Sequence, residues 1–432
     1  MKKTNAVIVL TALLIIGIMI LSYSYKFAIL FLIFLVLMEA FSYFLVKKLS
    51  QDFQWLITPD DEFPVLSKDG LSKFVKSGYD EELGWVRKAN TEKEEIGKDG
   101  KTMYHIDSRG SRKNPGHENL PIKISFYGDS FLFARQVNDD ETCQWYLSEL
   151  SQTNVLNFSV GNYGFDQALL RLKREYPKNK TKIVVIGVVP STIVRILCVW
   201  KHYNEFGNTF GFKPRFIIEN GKLKLIKNFI DKEEKFFEYE KYIQQIRKYD
   251  YFYKAHFKEE MIRFPYLISI LSDSFRNIPL IFLVSVSKLF KAEKELEVYP
   301  PPMKIIMKIN LKLRYKLFAQ NKNAVNLFEK LIEDFVSYAK KNIFVPVFLF
   351  MPQKDDLLFI KKKGPYYADF IERVSKKIHT IDLTSHLIYR EDLDEVYTDD
   401  NEYGGHYSNF GNKVVAEVIY NKLREKRLLK DK

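Results

Sequence analysis

Five short, largely apolar runs separated by helix-length stretches constrain this chain more than any other feature. They are Ile122–Tyr127, Val155–Phe158, Ile183–Val188, Ile343–Phe350 and Ile378–Leu383. Between and after them, helical patterns are predicted at about Glu141–Leu150, Gln167–Tyr176, Tyr366–Lys377 and Ser408–Leu423. Strands alternating with helices build a doubly wound parallel sheet, because parallel neighbours need long crossover connections. Asp140 is the predicted N-cap of the first helix. Val414, Val415, Val418 and Ile419 share one face of the last.

The first run stops on Gly128-Asp129-Ser130. A small, glycine-led turn at the carboxyl end of a parallel strand presents the Ser130 hydroxyl and N–H outside the sheet, where open α/β sheets bind ligands. The loop after Phe158 and the loop before Ser408 emerge at the same edge. The second of these reads Gly404-Gly405-His406-Tyr407-Ser408-Asn409-Phe410-Gly411, which sets His406 just before the last helix, poised to reach back over Ser130 as a general base. Asp382 and His386 close the last strand without a third ligand of suitable spacing, so they read as structural caps. No Walker loop or dinucleotide glycine pattern is present, and neither a cofactor nor a metal is expected.

The amino end is of another kind. Two apolar stretches, Ala6–Tyr23 and Phe27–Val46, are separated by Ser24-Tyr25-Lys26 and closed by Lys47-Lys48. Each has about the ~20 residues needed to span a bilayer, so residues 1–50 read as a transmembrane hairpin that anchors the chain. A signal peptide is the competing reading of the first stretch. Glu39 is expected near a membrane surface or against a neighbouring helix. Residues 51–120 form a polar, turn-rich lead-in, and 121–432 the α/β domain. That domain is interrupted at 190–341 by a large, mostly helical insertion with a hairpin at Phe216–Leu225 around Asn220-Gly221. Within the insertion, Ile278–Phe290 is too short to cross a membrane and reads as a buried helix, with an interfacial helix as the alternative. The net charge of +13 is spread over lysine-rich surfaces with no arginine-led arm, which suits anionic lipid or acidic glycan and excludes a nucleic-acid module. Cys143 and Cys198 lie in apolar surroundings and read as buried free thiols.

These motifs together resemble the SGNH/GDSL hydrolase superfamily. Gly128-Asp129-Ser130 matches its nucleophile block, Asn157-Phe158-Ser159-Val160-Gly161-Asn162-Tyr163-Gly164 its second block, and Gly405-His406 its closing block. The resemblance covers about Ile122–Val188 and Phe344–Leu423. More loosely, the chain is similar to a membrane-anchored subgroup with a lead-in like Leu83-Gly84-Trp85 and a run like Lys213-Pro214-Arg215-Phe216. The resemblance implies a flavodoxin-like sheet of the SGNH-hydrolase type, Ser130 as nucleophile and His406 as base. It also implies oxyanion donors at Ser130, Gly161 and Asn162, the last standing where the superfamily has a glycine.

Three positions depart from the superfamily pattern. Asn tolerates positive φ better than other non-glycine residues, so Asn162 keeps its N–H usable. The third-block asparagine is missing from Gly187-Val188-Val189-Pro190-Ser191-Thr192, which leaves Ser191, Thr192 or Asn162 to compensate. Arg195, close by, either meets an acidic substrate or forms a structural ion pair. The acid usually three residues before the histidine is Tyr403. Asp400 is the preferred replacement, with Asp399 or Glu402 as alternatives, or the site runs as a Ser-His dyad.

The function implied is a membrane-anchored serine esterase or acyltransferase working on O-acyl groups, acetyl foremost, of a glycan or lipid-linked glycan. The alternative is a catalytically idle module of the same fold that binds glycan or assists assembly at the membrane. Lysines at both ends of the hairpin favour a cytoplasmic domain. The resemblance and a glycan substrate favour the extracytoplasmic face, which is the preferred reading.

Overall fold

In the computed structural model, residues 25–289 and 301–429 are described, together with Thr11, Leu14, Gly17 and Ile18. Strands β1 (Ile122–Gly128), β2 (Asn154–Asn157), β3 (Ile183–Val188), β4 (Val345–Phe350) and β5 (His379–Asp382) form one sheet. Its order is β5-β4-β3-β1-β2 and every pairing is parallel. This is the flavodoxin-like doubly wound order expected for the chain. The winding reverses between β1 and β3, and the crevice outside their carboxyl ends is the switch point where such sheets bind ligands. Gly128 pairs with Gly187 across those ends. A Cβ on Gly128 would lie 2.0 Å from the Gly187 carbonyl oxygen, so the strands meet here only because position 128 has no side chain.

The helices that matter for the sheet are α1 (Cys143–Ser151), α2 (Phe165–Glu175), α3 (Lys322–Asn342), α4 (Ala368–Ser375) and α5 (Asn409–Glu425). Right-handed crossovers put α1 and α2 on opposite faces, because β1→β2 and β2→β3 run in opposite directions along the sheet. Phe165 of α2, Phe328 of α3 and Phe348 of β4 meet with ring centroids 5.5 to 5.9 Å apart, and Phe370 of α4 stacks on Phe328 at 4.7 Å. Helix α1 begins two residues later than its sequence suggests. Its N-cap is Thr142, whose hydroxyl accepts from Trp145 N–H, while Asp140 lies in the preceding 3-10 turn Asp139–Glu141. Extended backbone at Thr142, φ −87° and ψ 154°, is what aims its hydroxyl at the free N–H groups.

The chain divides into two units. The sheet unit takes Lys68–Val199, Phe212–Tyr239 and Asn310–Lys432. Both α3 and the hairpin Arg215–Glu219/Lys222–Ile226 belong to it, although both fall inside the stretch that reads as an insertion in the sequence. The hairpin turns on Asn220 (φ 51°) and Gly221 (φ 75°), the two positive φ values a two-residue primed turn requires.

The other unit takes Met1–Ser67, Trp200–Gly211 and Glu240–Ile309. Its helix Tyr25–Ser50, with a mean hydropathy of 2.5, is long and apolar enough to cross a membrane. The first predicted span, Ala6–Tyr23, lies outside the described residues apart from four positions. Glu39 does meet a neighbouring helix: its carboxylate accepts from the N–H groups of Tyr266 (2.5 Å) and Leu267 (2.8 Å), at the start of Tyr266–Ser272. A carboxylate at a helix N-terminus satisfies otherwise orphaned donors and meets the positive end of the dipole. The next helix, Ser274–Leu289, bends away by 111°. It contains the predicted Ile278–Phe290 segment except Phe290, which lies outside the described residues.

Candidate active site

The loop leaving β1 carries Ser130, which is 6% exposed. It does not run directly into a helix. Turns continue through Gln136, with Ala134 (φ 60°) and Gln136 (φ 67°) in the left-handed region. Asp129 is not a free acid. One carboxylate oxygen accepts from Phe131 N–H (3.0 Å), the other from Val189 N–H (2.9 Å) and Arg195 Nη1 (3.1 Å). Burial pushes its pKa up, and Arg195 with the backbone N–H groups works against that shift. The result is a turn bolted to the exit of β3.

The lead-in, more than the sheet, holds the rest of this loop. Arg112 is fully buried and donates to the carbonyls of Phe133 (2.8 Å), Ala134 and Val137 (2.7 Å) while pairing with Asp139 (2.8 Å). Glu95, on the hairpin Glu92–Gly97/Gly100–His105, accepts from Arg135 Nε (2.9 Å) and Gln136 N–H (3.1 Å). Five carbonyl and carboxylate contacts therefore fix the path from Phe133 to Val137 before any substrate is present.

Gly161 borders Ser130, and Asn162 follows it in the loop. A Cβ on Gly161 would lie 3.9 Å from Ser130 Cβ, so the glycine leaves space beside the serine. Asn162 has φ 64°, the left-handed conformation that a glycine would also adopt. Among the described residues, the N–H groups of Ser130, Gly161 and Asn162 donate to no partner. Free N–H groups clustered at a serine are what an oxyanion site requires. The loop is pinned from the lead-in: Trp85 Nε1 donates to Gly161 O (2.9 Å), and Tyr163 OH donates to Trp85 O (2.5 Å). Gly84 makes this possible, because at φ 86° a side chain there would strike Phe212 O at 2.2 Å. Lys213, from the second subgroup-like run, is buried against Asp166 (2.6 Å) at the start of α2.

His406 lies on a loop closed by a bridge between Tyr397 and Tyr407. Its N–H donates to Thr398 Oγ1 (3.0 Å) and its carbonyl accepts from Thr398 N–H (2.8 Å). The imidazole packs on Phe131, the residue after the serine, with ring centroids 5.0 Å apart. No hydrogen bond joins it to Ser130 Oγ among the described residues. Its Nδ1 is 2.5 Å from Gln136 Oε1. Gln136 Nε2 donates to Ile96 O (3.1 Å), which fixes the amide so that its oxygen faces the ring. The proton therefore sits on Nδ1 and Nε2 is left as the acceptor. Burial, reinforced by Arg135 and Arg195, lowers the imidazole pKa to about 3. The ring is neutral throughout the physiological range.

Among the described residues no acid takes the orienting position. Asp400 is exposed and lies 3.6 Å from Lys98. Asp399 is turned under Gly405, where its Oδ2 would lie 2.7 Å from a Cβ, and that oxygen has no hydrogen-bond partner among the described residues. Glu402 is exposed and pairs with nothing near the ring. The cause is the left-handed pair Gly404 (φ 75°) and Gly405 (φ 64°), which folds the acidic cluster away while Gln136 occupies the Nδ1 side. Two cleft candidates are also withdrawn. Thr192 is buried and its hydroxyl accepts from Phe165 N–H (2.9 Å) to start α2, and Arg195 is spent on Asp129 and Tyr163 O. Ser191 remains at the edge, donating to Gln353 Oε1 (3.0 Å).

Gln136, Arg112, Glu95 and Arg87 escape a reading of the sequence, since no local pattern marks them. A concavity is lined by Lys98, Lys101, Gln136, Asn138, Thr398 and Asn409 but includes neither Ser130 nor His406. Among the described residues no group of three His, Cys, Asp or Glu is arranged to hold a metal ion.

The fold and this edge define a doubly wound α/β domain with a serine turn and a histidine loop at the carboxyl ends of its strands. Solved structures to which the chain is similar include a lipolytic protein of the G-D-S-L family from Desulfitobacterium hafniense, at 14% identity and a TM-score of 0.32, over 70% of this chain and 99% of that one. A lipase/acylhydrolase from Enterococcus faecalis matches at 11% identity and a TM-score of 0.32, over 72% and 98%. An acetyl xylan esterase matches at 10% identity and a TM-score of 0.34, over 69% and 98%. No protein-family model matches the sequence, and no curated protein does.

Proposed function

We propose that the chain is a membrane-anchored serine esterase or acyltransferase acting on small O-acyl groups, acetyl foremost, of a glycan or lipid-linked glycan on the extracytoplasmic side. The observation that carries this reading is the imidazole of His406, held by Gln136 in one tautomer against the serine turn. Ser130 Oγ attacks the acyl carbon as its proton passes to His406 Nε2. The tetrahedral oxyanion is met by the N–H groups of Ser130, Gly161 and Asn162. The alcohol leaves with the proton from His406, and an acyl group remains on Ser130. Water or a sugar hydroxyl, deprotonated by the same nitrogen, then takes the acyl group and frees the serine. Helix Tyr25–Ser50 supports the anchor, and the glycan and acetyl preference follow from the sequence resemblance.

The test is labelling of the detergent-purified protein by a fluorophosphonate probe. Wild type is expected to label, and Ser130→Ala and His406→Ala, shown by thermal melting to be folded, are expected not to. A folded wild type that resists the probe yet binds glycan overturns the reading in favour of an idle binding module.

A further inference from the structure

Four arginines lie on or against the serine turn and the loops that hold it, and three of them already have a carboxylate. Arg135 is paired with Glu95, Arg195 with Asp129 and Arg112 with Asp139. Arg87 has no acidic partner among the described residues. Its guanidinium lies over the rings of Tyr104 (5.0 Å) and Phe133 (5.1 Å), and Nη1 donates to Tyr104 OH (2.5 Å). Nε is buried without a partner, and Nη2 donates to nothing among the described residues. The point where a Cβ on Gly161 would stand is 3.7 Å from Arg87 Nη2 and 3.9 Å from Ser130 Cβ. The open donor and the serine thus share one space, which exists because position 161 carries no side chain.

A planar cation held on two aromatic faces is fixed in orientation before anything binds. Its charge meets no carboxylate among the described residues. We infer that Arg87 receives an anionic oxygen, a carboxylate or a phosphate, on the substrate whose ester is presented to Ser130. The geometry places that anion within a few atoms of the scissile ester rather than on a remote part of the molecule, since Nη2 and Ser130 flank the same glycine. Guanidinium is the side chain best matched to both groups, through short charge-assisted hydrogen bonds. This inference rests on the reading of Ser130 as nucleophile.

The experiment compares three acetyl esters of one scaffold, neutral, carboxylate-bearing and phosphate-bearing, with the full-length protein in detergent and its Arg87→Gln and Arg87→Lys variants. Wild type is expected to prefer one anionic ester by kcat/KM. In Arg87→Gln the ratio of anionic to neutral kcat/KM is expected to fall about 10- to 100-fold, mainly through KM, with partial recovery in Arg87→Lys. The ester that shows the Arg87-dependent preference identifies the anion. Equal turnover of all three by wild type overturns the inference, as does an equal loss on neutral and anionic esters in Arg87→Gln, which marks a structural role. Failure of wild type to cleave any ester defeats the nucleophile reading instead. Titration of the same esters against Trp85 fluorescence then decides for Arg87: anion-selective binding lost in Arg87→Gln sustains it, and no binding overturns it.

Discussion

A histidine that acts as a base needs its other ring nitrogen tied down, and here the tie is the amide of Gln136 rather than a carboxylate. An amide fixes tautomer and orientation but adds no negative charge to stabilise an imidazolium. Gln136→Ala is expected to lower kcat about 10²-fold, because a ring free to turn misplaces Nε2. The pH profile separates orientation from charge. The base must be neutral, and a pKa lowered to about 3 keeps it neutral as pH falls, so wild-type kcat/KM stays flat from pH 8 to about pH 5. Gln136→Glu supplies the missing charge and is expected to raise the acid limb by about 1–3 pH units. An unmoved limb in that variant would show that position 136 does not govern the ring. Ser130 and His406 are legible in the sequence because glycines mark each turn next to them. Gln136 is not, because its reach depends on a left-handed turn and on Glu95 and Ile96, about forty residues earlier in the chain.

At the level of elements, helix Ser274–Leu289 buries one part of its apolar surface and exposes another. Leu280, Ile281 and Val284 are buried, whereas Phe275 (91% exposed), Phe282 (64%) and Leu289 (78%), with Ile278 between them, follow helical spacing along an uncovered stripe. Helix Tyr25–Ser50 of the same unit packs on Ser274–Leu289 and on its neighbour Tyr266–Ser272, and exposes Phe27, Leu30, Phe34, Leu37, Phe41 and Phe44. In a chain anchored as proposed above, apolar side chains left exposed beside a span-length helix would face lipid, where burial of a phenylalanine contributes about 1.5–3 kcal/mol. Phe282→Trp in liposomes of brominated-acyl lipids is therefore expected to show strong quenching above the wild-type background. Unquenched emission from the new indole would place the stripe against something other than acyl chains. The sequence leaves this helix ambiguous because it is apolar on nearly all sides, so periodicity alone assigns no face to the core.

Across the whole molecule, the sheet unit is assembled from three separated stretches, and this is where the sequence says least. Strand and helix alternation lapses after β3, so 190–341 reads as a mostly helical insertion. Yet α3, within that stretch, buries Phe328, Leu331, Ile332 and Phe335 completely. Lys213 neutralises the buried Asp166, and Arg314 is held between Asp355 (2.8 Å) and Asp356 (2.8 Å) with almost no exposure. Each of the four apolar side chains contributes about 1.5–3 kcal/mol on burial. A buried carboxylate that loses its partner costs about 3–5 kcal/mol. These losses match or exceed the roughly 5–15 kcal/mol by which a domain is stable. A chain lacking 190–341 is therefore expected to show no cooperative thermal transition by circular dichroism and no fluorophosphonate labelling. Restoring 212–239 and 310–341 to that chain returns α3, Lys213 and Arg314 to their partners, and a cooperative melt is expected to return with them. A cooperative melt in the shorter chain would mean that the five strands and their remaining helices form a sufficient core without α3.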